Sequence, residues 1–327
     1  MSLLPIKTKS PNCLGGGKMI KATPMRDAFL ETLHARMLVD DTIILLSADF
    51  GSPVLDKIRR DRPHQFVNVG IAEQNLVNVA TGLGLEGYKV FCYAIAPFIT
   101  MRCFEQIRVN LALLSQVREL NVNLIGVGAG YSYVVSGPTH QCYEDLSIMR
   151  SLPSLRIISP SDEIGATEIV NYALAHTGPK YVRFDAQPLP ILSNKKSVTN
   201  GYRILKNGCD ITIVATGFMT HTAIKVSSRL MNELGVESQI IDLSRLDGDV
   251  ELQAALESSY VVTLEEAFAE RGGLDSFVRS RVSNSVSILG IGVRPAYEFA
   301  LGSREHLHER VGIGEVAVFE KIMNWLN

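Results

Sequence analysis

The feature that most restricts the fold of this chain is a regular beat of short, nearly continuous apolar runs separated by helix-length patterns. Thr42–Ser47, Phe66–Val69, Lys89–Ala94, Val122–Val127, Arg156–Ser159 and Tyr181–Phe184 have the length and composition of strands. Apolar residues at helical spacing fill most of the intervals, at Ala72–Glu86, Ile99–Leu114, Tyr143–Ser151 and Asp162–His176. A further helix is expected after Thr23-Pro24, an N-cap followed by a first-turn proline, with Ala28, Leu30, Leu33 and Met37 on its inner side. Strands that are apolar on both faces and alternate with helices predict an α/β fold, its parallel sheet covered on both sides.

The beat stops at Gln187–Asn200, where Pro188, Pro190, Ser193, Asn194 and two lysines give linker chemistry. It restarts with strands at Ile211–Ala215, Gln239–Leu243, Val261–Leu264 and Ser287–Ile291. Helices are expected between and after them at Thr220–Leu234, Asp249–Glu257, Leu274–Val282 and Gly314–Trp325. The reading is two consecutive α/β domains, 21–188 and 201–327, joined by a linker at 189–200. A chain of 327 residues is long enough for two cores. Residues 1–20, with Pro5, Pro11 and Gly15-Gly16-Gly17, read as a loose leader.

Several function classes lose support at this stage. A net charge of −2 offers no electrostatic case for nucleic acid or an anionic membrane. The longest apolar run, Val90–Ile99, is too short to span a bilayer, and the N-terminus lacks the order of a signal peptide. The five cysteines form no C-x-x-C pair and read as reduced packing residues of a cytoplasmic protein. No H-E-x-x-H or similar spacing is present among the seven histidines, so no metal site is expected on this chain.

Three features fall at or near predicted strand ends, where parallel sheets gather their ligand-binding loops. The first is Glu73, within Val69-Gly70-Ile71-Ala72-Glu73-Gln74-Asn75, in the first turn of a helix. Alone it is explained by the helix dipole. The second is the aromatic set Phe91, Tyr93 and Phe98 around Pro97; the first two lie inside a strand and are expected to pack in the core, whereas Phe98 stands at its exit. The third is the turn Gly137-Pro138-Thr139-His140-Gln141.

Together these residues are similar to the transketolase family of thiamine diphosphate enzymes. The matching segments occur in family order: Ser47-Ala48-Asp49-Phe50, Asn68 to Asn75, Phe98 to Arg108 and Gly137 to Gln141, with Glu265-Glu266 and Gly272-Gly273-Leu274 further on. The resemblance covers almost the whole chain after residue 20. It implies a pyrimidine-binding domain followed by the family's C-terminal domain. By the resemblance, Glu73 is the carboxylate that hydrogen-bonds the aminopyrimidine ring and promotes its reactive form. Phe98 is the aromatic residue that stacks on the ring, with Tyr93 as the alternative. Asp49 lies beside the cofactor, and His140 faces the reacting carbonyl of the substrate. Arg183, Arg102 and Ser52 complete the substrate-side candidates, the arginines because a guanidinium fork suits phosphate or carboxylate.

Two departures qualify the resemblance. The family holds the diphosphate through a divalent ion at a Gly-Asp-Gly motif with a later asparagine; here Asp247-Gly248-Asp249 has the order inverted and lies in the second domain. A leader of roughly twenty residues cannot hold another α/β domain. The expectation is therefore one subunit of a split enzyme, whose partner brings the diphosphate site and Mg2+ or Ca2+. A two-plus-two heterotetramer is the closed assembly that follows. Second, Gly128 and Ala129 stand where full-length relatives carry a histidine and an aspartate, and Tyr131, Tyr133, Val134 and Val135 make that loop more apolar. The expected activity is ketol transfer between a ketose and an aldose, the sugar being an unusual or modified one. The alternatives are a decarboxylating relative, either deoxyxylulose-phosphate-synthase-like or a 2-oxoacid dehydrogenase beta subunit, and a non-catalytic partner subunit.

Overall fold

The computed structural model describes residues 22–326, so the leader at 1–20 and Cys13 lie outside the described residues. The first sheet contains β1 (Ile43–Ser47), β2 (Phe66–Asn68), β3 (Lys89–Ile95), β4 (Asn121–Val127), β5 (Arg156–Ile158) and β6 (Lys180–Phe184). Its strand order is β2-β1-β3-β4-β6-β5, and every pairing is parallel.

Alternation along the strands divides the core into two layers. Ile44, Leu46, Val90, Cys92, Val122 and Leu124 face one side, covered by Leu76, Val77 and Ala80 of α3 (Glu73–Leu85) and by Ile99, Ile107 and Leu111. Ile43, Leu45, Phe91, Tyr93, Ile125 and Val127 face the other. There they meet α1 (Met25–Met37), α2 (Pro53–Asp61) and α6 (Glu163–Ala175).

The second sheet has the order β11-β10-β8-β9-β7. Its strands are β7 (Tyr202–Lys206), β8 (Ile211–Ala215), β9 (Ser238–Leu243), β10 (Tyr260–Phe268) and β11 (Ser287–Val293). Only β7 runs antiparallel, against β9. Helix α7 (Met219–Leu234) packs on one face with α9 (Arg304–Val311) and α10 (Glu315–Leu326), and α8 (Leu274–Arg279) packs on the other.

The differences from the sequence reading have physical causes. β7 escapes a hydrophobic pattern because its inward residue is Arg203, which is buried through ion pairs of 2.7 Å with Asp162 and 2.8 Å with Asp242. Helix α2 has only three buried apolar residues, Val54, Leu55 and Ile58, among charges. The helix expected over Asp249–Glu257 is reduced to a single turn at Gln253–Ala255. The long helix expected over Ile99–Leu114 is broken into a π-helical turn (Phe98–Arg102), the short α4 (Phe104–Gln106), a second π-helical segment (Ile107–Leu113) and a 3-10 turn (Leu114–Gln116). The helix expected to start at Tyr143 begins only at Asp145, as α5 (Asp145–Arg150), because Cys142 pairs with Gly130 in an antiparallel bridge.

The 189–200 segment is fastened rather than free. The Glu168 carboxylate accepts hydrogen bonds from the backbone N–H of Ser197, Val198 and Thr199 at 2.9, 3.0 and 2.7 Å, and Leu189 and Val198 are buried. The two sheets are also joined directly, by Ser159 N–H donating to the Ser244 carbonyl at 2.8 Å and Leu246 N–H to that of Ile157 at 2.9 Å. A buried carboxylate and these backbone bonds turn two domains into one packed body.

Candidate active site

The chain passes from β1 outward to β2 and then back across to β3, so the strand order reverses beside β1. In open α/β sheets, ligands bind beyond the carboxyl ends of strands at such a reversal. Glu73, Phe98 and the loop bearing His140 follow β2, β3 and β4 respectively, so all three emerge on that edge.

The turn after β2 directs Glu73 inward. Asn68 Oδ1 accepts from the backbone N–H of Asp49 at 3.1 Å and of Gly70 at 3.0 Å, while its amide donates to Asp49 Oδ1 at 2.9 Å. Gly70 takes φ +75°, a conformation glycine adopts without a Cβ penalty. Glu73 then opens α3 with only 5% of its surface exposed, which a mere dipole-compensating surface acid would not show. Its two carboxylate oxygens each lie 3.1 Å from Arg102 Nη1.

A chain of contacts continues from this pair. The Arg102 guanidinium carbon sits 3.9 Å above the centroid of the Phe98 ring. Phe98 in turn meets the His140 imidazole edge-on, with centroids 5.3 Å apart. Ile71, Ala72, Glu73, Gln74, Asn75 and Arg102 line a cavity of about 470 Å³ that opens at this place. Phe98 and Arg102 are brought together by the π-helical turn they begin and end; such turns recur at functional sites.

His140 is held by a loop that folds back on itself. Gly130 and Cys142 exchange backbone hydrogen bonds of 2.7 and 3.0 Å, and His140 N–H donates to the Gly137 carbonyl at 3.1 Å. Its Nδ1 lies 2.9 Å from the Thr139 hydroxyl, leaving Nε2 for another partner. Cys103, buried and close to the Glu73 charge, has its thiol pushed up to about 12, by burial first and by that charge second. It is therefore a packing residue and not a thiolate nucleophile.

Other predicted site residues are placed differently. Tyr93 is fully buried on the opposite face of the sheet, stacked on Phe50 at 5.2 Å, so it has no route to the Glu73 cavity. Asp49, at φ +55°, spends its contacts on Asn68 and supports the turn before Glu73. Ser52 caps α2, its hydroxyl accepting from Leu55 N–H at 3.3 Å. Arg183 does not sit at an open strand end. It is 2% exposed and pairs with Asp145 at 2.7 Å, and its Nη2 donates to the Glu266 carbonyl at 2.8 Å. That places it as a buried bridge between the domains, with Nε and Nη2 both committed to protein acceptors.

The apolar loop after β4 is also partly core. Tyr131 is fully buried against Tyr143, with centroids 5.0 Å apart, and of the two valines only Val135 projects fully into solvent. The residue the sequence reading left without a role is Glu266. Its carboxylate is buried and pairs with Arg304 and His308, while Arg304 also meets Asp185 of the first domain at 2.6 Å. Burial alone would raise the Glu266 pKa, but Arg304 and His308 overcome it and hold the carboxyl well below the usual range. Both members of the Glu265-Glu266 pair are buried, and the sequence carries no sign of which one meets Arg304 and His308.

A second cleft, about 510 Å³, lies at the amino-terminal ends of β5 and β6 and includes Arg156 and Gly178, away from Glu73. Among the described residues no group of three or more His, Cys, Asp or Glu is placed to hold a metal ion. None of the described helices is long and apolar enough to cross a membrane.

Comparison with known proteins gives a consistent result. Residues 21–190 match the family description "Transketolase, pyrimidine binding domain", and residues 201–318 match "Transketolase, C-terminal domain". A 6-deoxy-6-sulfo-D-fructose transketolase subunit of a Clostridium species is 29% identical, over 88% of this chain and 90% of that protein. An apulose-4-phosphate transketolase subunit of Phocaeicola vulgatus is also 29% identical, over 92% and 97%. A solved split-gene transketolase, described as an inactive beta4 tetramer, superposes with a TM-score of 0.77 at 28% identity, covering 93% of this chain and 98% of that one.

Proposed function

The chain belongs to the transketolase family, and from that membership we propose that it is one subunit of a split, thiamine diphosphate-dependent transketolase moving a two-carbon ketol unit between a ketose and an aldose. The observation that carries the reading is the buried Glu73 carboxylate, opening onto a cavity beside Phe98 and His140 at the reversal of the sheet. Relatives matched over nearly their full length are named as subunits, which supports a partner chain here as well. That partner brings the diphosphate site and its Mg2+ or Ca2+, in a two-plus-two heterotetramer. The sugars those relatives are named for support a modified ketose as donor or product. The enzyme works in the cytoplasm, a reading supported by the unpaired, buried thiols of Cys92, Cys103 and Cys142.

The residues present suit the pyrimidine end of the cofactor. A flat, hydrogen-bonding group, the Arg102 guanidinium, already stacks on Phe98 and bonds Glu73, so the space accepts a planar ring with polar edges. When bound, thiamine diphosphate supplies the carbanion chemistry that no side chain can. Glu73 holds the hydrogen bond to the ring edge in a desolvated setting, where such a bond is strong. Phe98 orients the ring by stacking. His140, with Nε2 free of the Thr139 contact, donates to the oxygen of the substrate carbonyl as negative charge develops there and passes a proton to it.

The test is co-expression with a chain bearing the Gly-Asp-Gly and asparagine motif, followed by assay of ketose cleavage with an aldose acceptor. Activity that falls by about 100-fold or more in Glu73→Gln supports the reading; full activity in that variant refutes the role of Glu73. Pyruvate consumption with carbon dioxide release would instead identify a decarboxylating enzyme. Cofactor uptake without cleavage of any donor would identify a non-catalytic subunit.

A further inference from the structure

Arg102 occupies both points to which an aminopyrimidine ring would attach. Its Nη1 donates to both oxygens of Glu73 at 3.1 Å, and its guanidinium plane lies over Phe98 with the carbon 3.9 Å from the ring centroid. A ring that hydrogen-bonds Glu73 and stacks on Phe98 needs the same volume, so the two cannot be there together. We propose that Arg102 is a displaceable placeholder for the aminopyrimidine, compensating the buried Glu73 carboxylate until the cofactor arrives and then swinging out into solvent. This rests on the reading of Glu73 and Phe98 given above.

Three observations support displacement over a permanent pair. Glu73 is 5% exposed, and a carboxylate so enclosed needs a partner when no cofactor is present. The Arg102 side chain is 47% exposed and forms its ion pair with Glu73 and no other acid among the described residues, so apart from the stack on Phe98 no second contact tethers its head. Its backbone, by contrast, is anchored: Gln74 Nε2 donates to the Arg102 carbonyl at 3.0 Å. With the backbone fixed and the half-exposed side chain held only at the two points the ring would take over, a rotamer change leaves the helix in place. A guanidinium suits the task better than an ammonium, because it is planar and stacks on an aromatic face. Loading the cofactor then exchanges one ion pair and one stacking contact for a ring's hydrogen bond to Glu73 and its own stack on Phe98.

The experiment is a titration of thiamine diphosphate, with saturating Mg2+, into the co-expressed complex, read by protein fluorescence. Arg102→Gln removes the competing group, and at least threefold tighter binding than wild type is expected. In the cofactor-free isolated chain, Arg102→Gln lowers the melting temperature, and Glu73→Gln/Arg102→Gln recovers most of that loss, because the carboxylate is no longer buried without a partner. Unchanged or weaker binding in Arg102→Gln, or additive melting shifts in the double variant, overturns the proposal. Should Arg102→Gln fail to fold, Arg102→Lys keeps the charge without the planar stack; tighter binding is again expected, and unchanged or weaker binding is again fatal. If the wild-type complex binds no thiamine diphosphate at all, the functional reading itself fails. If it binds and Glu73→Gln weakens binding while Arg102→Gln does not tighten it, only this inference falls.

Discussion

Gly130, in the loop that carries His140, lies against the carboxylate of Glu266, which belongs to the other domain. A Cβ at Gly130 would collide with that carboxylate, and the residue also takes φ +54°, which L side chains rarely adopt. Glu266 cannot yield easily, because Arg304 and His308 hold it. The second domain thus sets the position of a loop of the first.

Gly130→Ala is therefore expected to do two things at once. The left-handed conformation costs about 1–2 kcal/mol with a Cβ present, and displacement of the Glu266 carboxylate adds to it. Urea unfolding measures the loss. Turnover of the reconstituted enzyme should fall as well, since the Gly130–Cys142 bridge that fixes His140 is disturbed.

His140→Ala removes a donor from the exposed side of the loop without touching its backbone bonds to Gly137. Unfolding should be unchanged, while kcat falls by about 100-fold, the usual range for a lost acid–base group. Steady-state kinetics on the complex, alongside a thermal melt, separate this from general damage. A variant with wild-type kcat would remove His140 from the mechanism.

Arg183 offers a contrast between support and substrate binding. Arg183→Met leaves Asp145 buried without its cation, and destabilisation of about 3–5 kcal/mol is expected. Arg183→Met/Asp145→Leu should recover much of it, because both charges leave together. A rise in KM with unchanged stability would instead return Arg183 to the substrate site.

Lys180 is fully buried at the start of β6, bonded to Asn121 Oδ1 at 3.1 Å and to the Gly178 carbonyl at 2.9 Å. Burial, with Arg156 adding to it, lowers its pKa from 10.5 to about 7. Between those values the unfolded chain binds a proton that the folded chain does not, so this residue makes stability rise with pH across that window. Below about 7 both states carry the proton, and the whole cost of burying the charge remains. Lys180→Met should show less of this rise than wild type when unfolding free energies at pH 7 and pH 9.5 are compared. Equal slopes in the two proteins would place the lysine's titration elsewhere.

The central strands of the first domain are legible in the sequence almost residue by residue, because a buried parallel strand must be apolar on both faces and little else in a chain looks like that. Glu73, Phe98 and His140 are legible as candidates for a related reason: each lies on the connection that leaves such a run. Tyr93 and Phe98 are harder to separate, since two aromatics near one strand end look alike until the pleat sends Tyr93 to the far face. Arg183 and Arg203 are opaque, because an arginine reads as exposed unless the acids that neutralise it are known, and Asp145, Asp162 and Asp242 come from other elements.

The α/β alternation, the sheet edge on which the candidate loops gather and the residue types found there are all written in the order of amino acids. Periodicity and strand ends are local properties, written in consecutive residues. Folding in three dimensions is what brings Arg102 over Phe98 against Glu73, sets Glu266 to brace the loop of His140, and fastens the residues at 189–200 through Glu168. Each of these joins groups far apart in the chain. Their energies come from burying charge beside charge, and that depends on three-dimensional proximity, which no window of sequence contains.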